Sequence, residues 1–311
     1  VELAERLCET RPPMKAVGEY RDSGLVPRYR HTASRSDGIL NIFIPAVRDL
    51  NVPLGEVAIL APWWLPLFHL AKELRANGIP VVGPGARPYK RTHVFAQLAE
   101  PIGAYLESPE PDIARAVQRA LFHVINEITG QPNHFVYTFE GRVVLCELLK
   151  EAQDALSQSC LAEHWLTLAA KHFADVLVAS QFLPTACANV LQESAAQMAK
   201  DIAERDDTES LLIQDLGIFA RPKHCIQLLT IHKAKGREFE AVAVLDAHDG
   251  RLPHFSISYV SDPALRQAKY EEARRLVYVA VTRSKRLLMF FTDGEDDRNR
   301  PSPFLEEMGL M

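Results

Sequence analysis

Two mainly apolar segments enclose a short basic loop in the last third of the chain. Residues 226–229 and 241–245 have the character of buried strands, whereas the residues between them include a histidine, two lysines, an arginine and a glycine. This pattern predicts a strand, an exposed loop and a second strand. Loops of this kind hold ligands in open α/β sheets, but a basic cluster is equally typical of an ordinary solvated surface.

An earlier part of the chain predicts a parallel sheet. Residues 57–60 have the pattern of a buried strand, 65–77 that of a helix ended by Gly78, and 79–82 that of a second strand. A strand, a helix and a strand at this spacing form a parallel βαβ unit. Before it, apolar residues recur at helical spacing between Ser36, a suitable N-cap, and Leu50. We therefore expect an α/β fold with a mostly parallel sheet flanked by helices.

The middle of the chain has a different pattern, which predicts an inserted, mainly α-helical domain. Runs of β-branched residues disappear, and apolar residues recur every three or four positions in four segments, at 113–128, 143–157, 162–182 and 185–205. We therefore predict a sheet domain in two parts, 1–104 and 221–311, around a helical insertion at 105–220. Its histidines lack the spacing of metal ligands, so we assign the insertion no chemistry.

Composition limits the class of protein. The five cysteines form no Cys-x-x-Cys pair, which argues against disulfides and zinc ribbons and favours a reducing, cytoplasmic compartment. No stretch approaches the roughly 20 apolar residues of a membrane helix, so no membrane contact is expected. A net charge of −5 argues against a freestanding nucleic-acid binder but permits a local phosphate-binding strip. The chain begins without Met, which suggests a fragment.

Two loops superficially resemble known ligand sites. The segment 83–92 is glycine-rich and basic, but Lys90 follows a tyrosine and two prolines remove backbone donors, so we predict a basic turn rather than a nucleotide loop. Arg87, Lys90 and Arg91 in this turn are candidate contacts to a phosphate backbone. The segment 246–250 contains Asp246, His248 and Asp249. No further ligand is close to it in the sequence, so we predict a turn and no metal site.

A long helix is predicted to begin at Pro263 and to end at Thr282 and Arg283, immediately before an apolar strand. An arginine at this position is a candidate phosphate ligand, because its planar guanidinium makes bidentate, charge-assisted hydrogen bonds. Favourable pairing of Arg283 with the negative end of the helix dipole is the alternative.

Two segments together carry a family resemblance. The segment 230–239 resembles motif V of the UvrD/Rep-type superfamily 1 DNA helicases, and 271–284 resembles their motif VI. Their order, the intervening Leu252-Pro253 and the closing segment 301–305 also fit this family. The resemblance covers only the C-terminal half of such a helicase. It implies a RecA-like 2A domain, with the helical insertion at the place of the family's 2B domain.

The resemblance also implies roles for individual residues. Arg283 corresponds to the arginine finger that stabilises charge on the transferring γ-phosphate. Residues of motif V are implied in nucleotide binding, and these are Lys235, Gly236 and Glu238, whose carboxylate would accept a hydrogen bond from the ribose. Residues implied in binding single-stranded DNA are Thr230, His232 and Lys233.

The chain departs from the family pattern near residue 61. Where the family has an arginine-containing turn, this chain has Ala61-Pro62-Trp63-Trp64. We therefore consider Trp63 and Trp64 as DNA-binding candidates through stacking on bases, with packing as the alternative. Arg91 is a further DNA-binding candidate, although the segment that follows it, beginning at His93, also differs from the family pattern.

The chain lacks the motifs that hold ATP in this family. It contains no Gly-Lys-Ser/Thr and no Asp-Glu dipeptide, so the phosphates and Mg²⁺ would have no cradle. We expect the full-length parent to be an ATP-dependent DNA helicase that uses ATP and Mg²⁺, and the fragment alone to be inactive and to bind neither tightly. Its expected partners are single-stranded or duplex-junction DNA and the missing N-terminal RecA-like half. The alternative is a non-catalytic DNA-binding or scaffolding module of a repair or nuclease complex, with a decayed ATP site.

Overall fold

The computed structural model describes residues 1–8, 28–204, 210–293 and 300–311. They form two compact units, the first comprising 1–86 with 222–311 and the second comprising 87–221. Residue 205, the last of a predicted helix, lies outside the described residues. Within the described part of the chain, every helix is too short or too polar to cross a lipid bilayer.

The first unit contains a sheet of six described strands in the order β1-β6-β5-β2-β4-β3, and every pair of neighbours is parallel. The strands are β1 (Arg28–Thr32), β2 (Val57–Ala61), β3 (Val81–Val82), β4 (Ile226–Thr230), β5 (Phe239–Val244) and β6 (Ser284–Asp293). The prediction of a mostly parallel α/β sheet is therefore confirmed.

Parallel pairing gives the sheet two chemically distinct edges. At the edge where strands begin, which we call the amino edge, Val57 pairs with Ala241 and Phe239 with Ser284. At the edge where strands end, the carboxyl edge, Ala61 pairs with Thr230. Each chain connection between strands must cross from the carboxyl edge back to the amino edge.

Helices flank both faces of this sheet. Successive strand residues point to opposite faces, and Phe290 belongs to a buried cluster that includes Ala4, Val277 and Phe304. Phe291 points the other way and makes an edge-on ring contact with Phe43, at a centroid distance of 6.5 Å. The helices of this unit are α1 (Glu2–Leu7), α2 (Arg35–Gly38), α3 (Ile44–Asp49), α4 (Trp64–Ala76), α11 (Pro263–Val281) and α12 (Pro303–Glu307).

Two predicted elements of the first unit differ in detail. The helix predicted from Ser36 begins one residue after Ser34, whose hydroxyl accepts a hydrogen bond from the Asp37 N–H, and it contains a π-helical turn at Ile39–Phe43. Pro45 follows this turn and has no N–H to donate, which favours an irregular hydrogen-bond ladder before it. The strand predicted at 79–82 is limited to β3, because Pro80 cannot donate to a ladder.

The second unit is helical throughout its regular structure in the described residues. Its helices are α5 (Ala96–Glu107), α6 (Pro111–Thr129), α7 (Phe139–Gln158), α8 (Ala162–Ala179), α9 (Ala188–Ala203) and α10 (Ile213–Leu216). Its limits at 87 and 221 differ from the predicted insertion at 105–220. The reason is that α5 packs closely against α6 and α10, so it belongs with the helices that follow it.

Glycines allow the close approach of α5 and α10. A methyl group added to Gly103 would overlap the carbonyl oxygen of Ile213, and one added to Gly217 would lie 2.5 Å from the Ala104 nitrogen. Both obstacles are backbone atoms, which cannot rotate away. The two helices are in contact because neither glycine carries a side chain.

We predict that Gly103→Ala lowers the free energy of unfolding of the second unit by about 1–3 kcal/mol, as overpacking does. Helix propensity alone would favour this change by about 1 kcal/mol, so a decrease in the free energy of unfolding would be due to the steric overlap. Chemical denaturation measures it, and the exposed Lys150→Ala is the control, expected within about 0.5 kcal/mol of the unchanged protein. A stabilised Gly103→Ala protein would contradict the packing.

Candidate functional site

The connection between β4 and β5 crosses the sheet from the carboxyl edge to the amino edge. It begins with a 3₁₀-helix at Ile231–Ala234, in which Ile231 and Ala234 are fully buried. Residues three apart lie on the same side of a 3₁₀-helix, so this spacing anchors the segment in the core beside α11. The intervening His232 and Lys233 are exposed. We call residues 230–239 the crossing segment.

At the amino edge, Arg283 is attached to the end of the crossing segment. Its Nη1 donates to the carbonyl oxygen of Arg237 at 2.8 Å, and its own carbonyl oxygen accepts from the Phe239 N–H at 2.8 Å. Its Nε donates to Val279 O at 3.1 Å, and its Nη2 donates to the Thr282 hydroxyl at 2.9 Å. A guanidinium has five donors. These contacts use three of the five, so two donors have no acceptor among the described residues.

The nucleotide candidates surround this attachment point. Gly236 and Glu238 are the sequence neighbours of Arg237, and both are exposed, as is Lys235. Gly236 has a φ of +81° with open space where a Cβ would lie, so its conformation rather than crowding favours glycine. The structure therefore brings Arg283 close to the Gly236–Glu238 turn, although Arg283 lies 45 residues beyond Glu238 in the sequence (283 − 238).

The DNA candidates of the crossing segment lie at its other end. Thr230 is half-buried at the carboxyl end of β4, followed by the exposed His232 and Lys233. Trp63 and Trp64 come directly after the end of β2, which pairs with β4. The carboxyl edge thus gathers five of the six DNA candidates, and Arg91 belongs to the second unit.

The two tryptophans have different surroundings. Trp63 is half-buried: the Arg251 guanidinium lies 4.7 Å from its ring centroid, and the His254 ring meets it edge-on at 5.7 Å. Trp64 is 57% exposed and makes an edge-on contact with Phe68 at 6.2 Å. The Trp64 ring therefore has more open surface for stacking on a base than that of Trp63.

Sequence analysis did not single out the aromatic residues after β5. His254 stacks on Phe255 at 4.4 Å, and Phe255 meets Tyr259 edge-on at 6.2 Å, with exposed fractions of 53% for Phe255 and 78% for Tyr259. We call Trp63, His254, Phe255 and Tyr259 the aromatic row. These aromatic residues are visible in the sequence close to Arg251. Because the segment has neither strand nor helix periodicity, the sequence did not predict which residues they contact.

A pocket of about 660 Å³ adjoins this row. Its walls include Phe255 and Tyr270 together with two arginines, Arg266 and Arg300. Arg266 is held by two hydrogen bonds from its guanidinium to the Val260 carbonyl oxygen, at 2.9 and 2.8 Å. The carboxyl edge thus combines aromatic surface with positive charge.

The basic turn at 83–92 precedes α5, and its residues from Arg87 onward belong to the second unit. Arg87 forms a bidentate ion pair with Glu100, at 2.6 and 3.1 Å, and its guanidinium lies 4.9 Å from the Phe219 ring centroid. Burial, followed by the nearby Glu100 carboxylate, raises the pKa of Tyr89 well above its usual value. The Arg87 guanidinium is engaged by Glu100 and by the Phe219 ring, whereas Arg91 is exposed.

Comparison with known proteins places these segments in a family. Residues 190–293 match the model of the UvrD-like helicase C-terminal domain, and this range includes the crossing segment, α11 and Arg283. The chain is 26% identical over 226 residues to the ATP-dependent DNA helicase Rep of Buchnera aphidicola, covering 63% of this chain and 32% of that protein. It is 33% identical over 115 residues to Rep of Escherichia coli, covering 35% and 14%.

A shorter match with a higher identity is to the putative ATP-dependent DNA helicase YjcD of Bacillus subtilis. The identity is 48% over 67 residues, covering 21% of this chain and 9% of that protein. The chain thus spans about a third or less of the length of these relatives. Residues 190–293 thus match a UvrD-like helicase C-terminal domain, and the chain is similar to helicases of the UvrD/Rep type.

Proposed function

We propose that the chain is the C-terminal motor domain of an ATP-dependent DNA helicase or translocase, and that it supplies the arginine finger and a loop that binds single-stranded DNA. One observation carries the proposal. The crossing segment begins at the carboxyl edge with Thr230 and His232 and ends at the amino edge, where Arg283 is bonded to it. A single buried-core element would therefore connect DNA contacts to nucleotide contacts.

Arg283 is suited to acting on a phosphate bound by another domain. Three hydrogen bonds position its guanidinium, and two donors remain for a phosphate oxygen. Glu238 is exposed beside it and provides an acceptor for a ribose hydroxyl. We propose that the N-terminal RecA-like half of the same parent protein cradles ATP and Mg²⁺, and that Arg283 completes the site across the cleft.

Anchoring of the crossing segment would transmit movement between the two edges. Ile231 and Ala234 are fully buried, and Phe239 is nearly so, so the segment cannot shift without the core around it. Closure of the nucleotide cleft on Arg283 would therefore carry the carboxyl edge with the whole sheet. Thr230, His232 and Lys233 would move with it relative to the N-terminal half and displace a bound DNA backbone.

The carboxyl edge offers two kinds of DNA contact. His232 and Lys233 are exposed donors for phosphate oxygens, which give affinity without sequence preference. Trp64 and the aromatic row offer ring faces for bases, worth about 1–3 kcal/mol for each stacked base. We propose that single-stranded DNA, or the single strand at a duplex junction, lies along this edge. We expect the cytoplasm as the compartment, because DNA is the proposed substrate.

We predict that Arg283→Ala in the parent protein, or in this chain combined with the N-terminal half, lowers the rate of DNA-stimulated ATP hydrolysis by about 10³-fold or more, the usual contribution of an arginine finger. Nucleotide affinity should change only a few-fold, because the finger acts mainly on the transition state. Steady-state hydrolysis and binding of a fluorescent nucleotide measure the two quantities.

Arg275→Ala is the matched control, since Arg275 is an exposed arginine of α11, the helix that precedes Arg283. It should leave turnover nearly unchanged. If Arg283→Ala also turns over at the original rate, Arg283 is not the finger. If the combined halves bind DNA without any hydrolysis, the non-catalytic scaffolding module describes the protein better.

We predict that Lys233→Gln weakens binding of single-stranded DNA. It should also reduce the slope of log affinity against log salt by about 0.7, the value for one phosphate contact on a single strand. Titration of a labelled oligonucleotide at several salt concentrations measures the slope. Lys223→Gln is the control, because Lys223 is exposed but precedes β4, at the amino edge. An equal loss of slope in both variants would contradict a specific contact at Lys233.

A further inference from the structure

Three potential metal ligands meet where β5 and β6 end. Asp246 and His248 follow β5, and Asp293 is the last residue of β6. These strands are parallel neighbours, and the Ala247 N–H donates to the Phe291 carbonyl oxygen at 3.0 Å, which holds the loop against β6. One ligand atom from each of the three side chains lies within 4.8 Å of the other two.

Asp246 has a buried oxygen without a partner. The residue is 1% exposed, and its Oδ1 accepts from Arg35 Nε at 2.7 Å. No hydrogen-bond donor reaches its Oδ2 among the described residues. A buried carboxylate oxygen left unsatisfied is costly, so this oxygen is suited to accept a hydrogen bond from a water or to bind an ion.

The hydrogen bond of His248 leaves its other nitrogen available to a metal. Its Nδ1 lies 2.9 Å from the carbonyl oxygen of Asp249. A carbonyl oxygen can only accept, so Nδ1 carries the proton and Nε2 has the lone pair in the neutral ring. A backbone carbonyl on one imidazole nitrogen is the usual arrangement when the other nitrogen binds a metal.

We propose that Asp246, His248 and Asp293 bind a divalent transition metal, with Zn²⁺ as the ion best suited to one imidazole and two carboxylates. Mg²⁺ and Ca²⁺ prefer sites made entirely of oxygen ligands. The ion would satisfy the Asp246 Oδ2 and tie the end of β5 to the end of β6. Three protein ligands leave a fourth position for water.

Arg35 determines how strongly such a site can bind. Its guanidinium contacts both carboxylates, with Nη1 at 3.2 Å from the Asp293 Oδ2 in addition to the bond to Asp246. The positive charge of this guanidinium offsets part of the negative charge of the two carboxylates before an ion binds. Arg35 therefore orients the carboxylates but opposes a second cation electrostatically. Removing its charge should strengthen metal binding.

Equilibrium dialysis of the chain against Zn²⁺, with metal measured by mass spectrometry, tests the proposal. We expect one saturable site for Zn²⁺. Asp246→Asn and His248→Gln should each lower its affinity by at least tenfold, because loss of even a supporting partner costs roughly tenfold to hundredfold. Arg35→Met should instead tighten binding. His224→Gln, which changes an exposed histidine outside the cluster, should leave affinity unchanged.

Co²⁺ serves as a spectroscopic probe, because a site of nitrogen and oxygen ligands lacks the thiolate charge-transfer band that binding to any of the five cysteines would produce. Circular dichroism establishes that each variant is folded, and His248→Gln keeps the test valid if Asp246→Asn does not fold. Absence of saturable binding would overturn the proposal. So would equal affinity in the unchanged chain and His248→Gln, a thiolate band for the bound Co²⁺, or weaker binding in Arg35→Met.

Discussion

Parallel strand pairing is the constraint on which the other features of the first unit depend. Since every described pair is parallel, no two successive strands can be joined by a tight hairpin, and each connection must return across the sheet. The connection from β4 to β5 does so in only eight residues, 231–238 (238 − 231 + 1). Because this connection is short, its buried residues determine which polar side chains remain at each edge of the sheet.

This geometry separates two chemistries that are adjacent in the sequence. Thr230 and Glu238 are eight residues apart (238 − 230), yet they lie at opposite edges of the sheet. The carboxyl edge also receives Trp64 and the aromatic row, whereas the amino edge receives Arg283. For the proposed motor, such a separation would have a physical advantage: each ligand would have its own edge, and the core between them would carry movement from one to the other.

Sequence patterns predicted the elements better than their associations. The buried strands and α11 were predictable because apolar periodicity is local. The aromatic row was not, because His254, Phe255 and Tyr259 belong to a short 3₁₀-helix and its N-cap, which apolar periodicity did not reveal. Helix α5 was assigned to the sheet domain because only its packing against α6 and α10 shows where it belongs. The closeness of Asp246, His248 and Asp293 was not predicted for a similar reason: Asp293 is 45 residues beyond His248 (293 − 248), and only the pairing of β5 with β6 brings them together.

The sequence by itself determined the parallel α/β class and the two motifs that resemble the UvrD/Rep-type helicases, because these depend on residue types at short spacing. The tertiary structure decided which edge each candidate occupies and that Arg283 is hydrogen-bonded to the crossing segment. It also brought His248 and Asp293 close to the buried Asp246, whose Oδ2 has no hydrogen-bond partner among the described residues. Contacts between residues far apart in the chain depend on strand order and register, and local spacing does not specify either.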